Sequence, residues 1–82
     1  MTLADEIDKA RRRVTRGERR IAEQRGRILE LQVRHHSTRK AHDFLQLLES
    51  LVDFHRMHLD RQTAKAELAS IEHDDWQLRA VS

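Results

Sequence analysis

Apolar residues recur along this chain at alternating steps of three and four. In the first half Leu3, Ile7, Ala10, Val14, Gly17, Ile21, Gln24, Ile28 and Leu31 hold the alternation without a slip, and Ile7, Val14, Ile21 and Ile28 fall at strict sevens. This is a narrow a/d seam of the coiled-coil kind. The second half carries two seams side by side. One is Ala41, Leu45, Leu48, Val52, His55, Leu59, Gln62, Ala66 and Ala69. The other is Phe44, Leu47, Leu51, Phe54 and His58. One partner helix covers one seam, so a helix with two seams calls for a second partner. The chain has a single other helix to offer, and the pattern therefore points to a second molecule.

The pattern breaks at His36-Ser37-Thr38-Arg39-Lys40. Helix 1 is expected over about residues 3–35, a bend at 36–38 and helix 2 over about 39–73, with Ser37 or Thr38 as its N-cap. At the start, Thr2 is placed to cap the first turn, with Asp5 at the capping-box position. Beyond Ile71 the periodicity fades, and residues 74–82, with Trp76 and Leu78 after Asp74-Asp75, read as a partly ordered tail. Two helices of roughly 33 residues, each about 50 Å long, joined by a short bend make an antiparallel αα-hairpin. Folding at 37–38 sets Gly17 near His55 to Leu59, Ile21 near Val52 to His55, and Ile28 near Leu45 to Leu48. A glycine on the seam then marks close approach by a bulky residue; Gly26 lies off the seam and has no role in the pattern.

Composition sharpens this picture. The chain has 82 residues, no Cys, no Pro and two Gly. At this size a single core is marginal, and neither disulfides nor thiolate metal sites can support it. Half of the residues are Ala, Glu, Lys, Leu or Arg, the balance of long helices that gain a core by associating. The opening MTLADEIDKA has no apolar core of signal-peptide type, and no stretch approaches a membrane span, so no membrane partner is expected and the expected location is the cytoplasm. The net charge of +2 is split unevenly: residues 1–36 hold ten Lys or Arg against six acids, residues 37–82 six against eight. Either the halves complement each other or the first half faces a polyanion.

Three constellations invite a functional reading. The second seam, Phe44, Leu47, Leu51, Phe54 and His58, is the expected dimer interface, joined near the bend by Leu29 and Val33. The competing reading lays the stems of Arg13, Arg20, Arg27 and Arg34 over Phe54 and Leu47 within one chain. The arginine cluster Arg12, Arg13, Arg16, Arg19 and Arg20 offers a phosphate-contacting stripe. Against it, acids stand four positions upstream of basic residues at Asp5–Lys9, Asp8–Arg12, Glu23–Arg27 and Glu30–Arg34. Asp53, Asp60, Glu67 and Asp74, at sevens, form an acidic stripe fit to mate with the arginines of a neighbouring helix 1. The six histidines lack the ligand spacings of helical metal sites, so no metal and no cofactor is expected; His55 and Gln24 read as register-setting polar residues on the seams. Nothing gathers a nucleophile, base and pocket, and an enzyme is not expected.

The run IAEQR-x-RILEL (Ile21 to Leu31), then T-x-KAHDFLQLLESL, then HRMHLDR (His55 to Arg61) resembles a group of short bacterial helical-hairpin, coiled-coil-like proteins rich in Arg and Glu and of unknown function. The resemblance spans about residues 7–66. It implies a hairpin and carries no activity, ligand or site residue.

The expected architecture is all-α: one domain, an antiparallel two-helix hairpin assembling into a four-helix bundle as a homodimer, with a tetramer left open. The expected role is a small interaction or scaffold module. The alternatives are a nucleic-acid-associated protein using the helix 1 arginines, and a regulator that keeps the second seam for a different protein.

Overall fold

The computed structural model describes residues 2–81, with side chains for residues 2–71. Two helices, α1 (Leu3–Val33) and α2 (Arg39–Val81), pack against each other along one line as a hairpin. Local chemistry explains both ends of α1. The Asp5 amide donates to Thr2 Oγ1 and the Thr2 amide donates to Asp5 Oδ2, both at 3.2 Å, which closes the capping box. Those hydrogen bonds hold the Asp5 carboxyl below its ordinary pKa, the Thr2 amide being the larger cause. At the other end Arg34 is the C-cap and His35 turns into left-handed backbone, φ 58°. The His36 amide donates to the Leu31 carbonyl and the His35 amide to that of Gln32. This is a Schellman closure with histidine where glycine is usual.

The Thr38 carbonyl accepts the His42 amide, the first turn of α2. Thr38, of the two expected candidates, therefore occupies the N-cap. Helical backbone continues to Val81, past the expected end near residue 73; the Trp76 side chain, with its expected fold-back, lies outside the described residues.

Ala10, Ile21 and Ile28 of α1 are buried with Leu48 and Val52 of α2, and Leu45 packs against the cluster of Ile21, Leu48 and Val52. The seam has the expected notch, but its occupant differs. A Cβ built on Gly17 collides with the Val52 side chain, so Val52, 1% exposed, fills the glycine notch in place of the His55 to Leu59 stretch. The α1 closure at Arg34 and His35 turns the chain earlier than residues 37–38, which moves the contact about one turn from the level reached by folding at 37–38. Gly26 has open space beside it.

The hairpin is a rod of 72 × 18 × 16 Å with 6973 Å² of accessible surface. A compact monomer of 9.8 kDa would show about 5,200 Å². Two helices touching along one line leave most of each circumference bare.

Candidate interaction surface

The two long flanks of the hairpin differ in kind. On one, charges meet across the seam: Arg56 Nη2 lies 2.9 Å from Glu18 Oε1 and Arg25 Nη2 lies 3.8 Å from Glu49 Oε1. Arg56 also reaches Asp53 at 3.6 Å. The hydrogen bond to Glu18 is the main cause that raises the Arg56 pKa. Glu18 and Arg25 are seven apart on α1, Glu49 and Arg56 seven apart on α2, and opposite signs meet at each level. Each helix shows its own step of seven in the sequence, but the pairing of Glu18 with Arg56 across the seam joins positions 38 apart and is not visible along either helix alone.

The other flank is a groove. Arg13, Arg16, Arg20 and Arg27 line its α1 side; Phe44, Leu48 and Leu51 line its α2 side. Among the described residues these four arginines form no ion pair, nor do Glu23 and Glu30, which line the same groove. The apolar row stays open: Leu47 is 68% exposed, Phe54 62% and Leu51 46%. The arginine stems therefore leave Leu47 and Phe54 uncovered within one chain. His58 is partly buried, and the His55 ring meets Phe54 edge-on at 5.9 Å between centroids. Farther along the same phase of α2, Leu68 is also exposed.

The structure does not gather every expected interface residue. Arg25 leans toward Glu49 on the ion-paired flank; Leu29, four residues on, turns from that flank toward the outside, and Val33 shares the outward phase of Arg12 and Arg19. Both are exposed, on the side away from Phe44. Of the arginine stripe, Arg13, Arg16 and Arg20 converge on the groove. Arg12 turns outward and binds Asp8 at 2.7 Å, and Arg19, two turns on, shares its outward face. Of the other pairs along α1, Glu23–Arg27 and Glu30–Arg34 are not formed: in both, the extended side chains stay in solvent, where an exposed pair gains little over hydration. The acidic stripe does not meet the arginines within the chain either. Asp53 pairs with Arg56, Asp60 and Glu67 continue its phase, and the Asp74 side chain lies outside the described residues.

Two amides punctuate the seam. Gln24 Nε2 donates to the Ala41 carbonyl at 2.9 Å, tying α1 to the start of α2. Gln62 Oε1 is buried with no hydrogen-bond partner. Among the described residues no three His, Asp or Glu side chains gather as a metal site, and no helix is long and apolar enough to cross a membrane. No protein-family model, curated protein or solved structure matches the chain.

Proposed function

We propose that the protein is a non-enzymatic interaction module that self-associates through the open flank of α2, two hairpins forming a homodimeric four-helix bundle. The observation that carries this reading is the exposed row Phe44, Leu47, Leu51 and Phe54, which its own α1 leaves bare. Sedimentation equilibrium of the full chain at micromolar concentration tests the reading: the expected mass is twice that of the chain, and a monomer overturns it.

A second reading is favoured by one observation, the convergence of Arg13, Arg16 and Arg20 on one groove without acids paired to them. A polyphosphate backbone would bind there by counterion release. Titration with duplex DNA at two salt concentrations decides it: binding that weakens steeply with salt supports this reading, and absent or salt-insensitive binding removes it. A dimer that still captures a defined partner protein on the α2 row would point to the third expectation, a regulator.

A further inference from the structure

Resting on self-association through the open flank, we infer that Arg13, Arg16, Arg20 and His55 form a site for a single phosphate group, filled when the second copy seats on the apolar row. The four side chains line one hollow of about 70 Å³ at the level where Val52 enters the Gly17 notch. The arginines stand at i, i+3 and i+7 on α1, so they share a face and turn toward one space. None of them forms an ion pair among the described residues, and no carboxylate lines the hollow. A volume of this size holds about two water molecules; it suits a tetrahedral oxyanion and excludes a nucleoside.

The helix does nothing to answer this charge itself. Three and four positions either side of Arg16 stand Arg12, Arg13, Arg19 and Arg20, and like charges at those steps destabilise a helix. Arg12 is answered by Asp8. Arg13 and Arg16 have no acid at any such position; Arg20 has Glu23 alone, which lines the neighbouring hollow with Arg27 and not this one. Across the seam α2 supplies Leu51 and His55 here, while its acids Glu49 and Asp53 lie on the other flank with Arg25 and Arg56. The charge is left for an ion from outside. Guanidinium groups grip phosphate oxygens through paired N–H bonds, and His55 offers an N–H in either protonation state. Leu51 belongs both to this hollow and to the exposed row, and the His55 ring meets Phe54 of the same row edge-on. A partner on the row therefore takes water from the arginines, which is unfavourable while they lack a counterion. A bound phosphate removes that penalty, so anion and second copy each strengthen the other's binding.

Sedimentation equilibrium of the full chain in chloride, alone or with millimolar inorganic phosphate or pyrophosphate at equal ionic strength and pH, tests the site. Dimer affinity is expected to rise about tenfold with either anion. Arg16→Gln should abolish the rise; Arg19→Gln, which removes the same charge from the outward face, should keep it. Salting-out by phosphate acts on all three chains alike, so the contrast between the variants reports the hollow. Arg16 is exposed and ringed by like charges, so Arg16→Gln is expected to stay helical by circular dichroism and, in chloride, to melt no lower than the parent. A dimer that neither anion tightens, or one tightened equally in Arg16→Gln, overturns the phosphate site and leaves self-association standing. A monomer in every buffer overturns self-association and the site with it. If duplex DNA at the same phosphate concentration tightens the dimer and the free anions do not, the ligand is a nucleic-acid backbone, and the single-phosphate site is overturned.

Discussion

The flank that carries Glu18, Arg25, Glu49 and Arg56 spends its charges inside the molecule; the flank that carries Arg13, Arg20, Glu23 and Arg27 leaves them unspent beside an open apolar row. Both border the same buried seam, and each has charged residues spaced by seven. The difference lies in what stands opposite. On the paired flank α2 answers with Glu49, Asp53 and Arg56. On the open flank it answers with Phe44, Leu47 and Leu51, which give an arginine no counterion. A surface that satisfies its own charges has little to offer a partner, whereas one presenting unpaired charges beside 46–68% exposed Leu and Phe has both the driving force and the means of alignment.

The strongest way to break this contrast is to place charge in the apolar row. Leu51→Glu with Phe54→Glu is expected to dissociate the assembly outright, seen as a halved mass in sedimentation, and to lower Tm by 10 °C or more if the lost interface contributes several kcal/mol (~25 cal/mol per Å² of apolar surface). Both positions are exposed in the single chain, so the hairpin itself should stay helical by circular dichroism. An unchanged mass would show that the open flank is solvated surface, and the distinction between flanks would lose its meaning.

The seam between the flanks sharpens the contrast at intermediate scale. Gly17→Ala drives a methyl into Val52; overpacking costs roughly 1–3 kcal/mol, against which alanine returns about 1 kcal/mol of helix propensity. Net destabilisation by about 1 kcal/mol is expected in urea or thermal unfolding. Gly26→Ala has open space and should stabilise by about 1 kcal/mol. Opposite signs from one substitution on one helix would confirm that Gly17 is kept for the approach of Val52. At the bend, His35→Gly should stabilise by about 1 kcal/mol, since a non-glycine residue holds a left-handed backbone there at a steric cost.

How far these features were legible follows from what selects each residue. The hairpin, the Thr2 cap, the seam of Ile21, Ile28, Leu48 and Val52, and the close approach at Gly17 can be read from the chain because burial along one line leaves a period. The second row on α2 is legible for the same reason. The side on which a row lies relative to the bend is a different matter: it depends on helix handedness and on the phase at which α1 stops. Leu29 and Val33 show the consequence, being near the bend in sequence yet turned away from Phe44. The identity of the residue facing Gly17 depends on the level at which α2 starts, set by Arg34, His35 and the three residues before Arg39. A glycine would have announced that closure, and the chain uses His35 instead. The Glu18–Arg56 pair joins positions 38 apart in sequence, and spacing along either helix alone does not reveal it.

The smallest expected effect is on the paired flank, and it is the control for the whole comparison. Arg56 sits at the centre of that flank, bound to Glu18 and Asp53, yet its side chain is 52% exposed. An ion pair so open to water exchanges hydration for Coulomb attraction with little net gain. Arg56→Gln should therefore lower Tm by no more than a few degrees, and the loss should shrink as salt is raised from low to physiological strength, because added ions screen the same attraction in the parent protein. The mass by sedimentation should not change. If Arg56→Gln instead separates the copies while Leu51→Glu with Phe54→Glu leaves them joined, the partner seats on the charged flank, and exposed Phe and Leu beside unpaired arginines do not mark the contact surface of this hairpin.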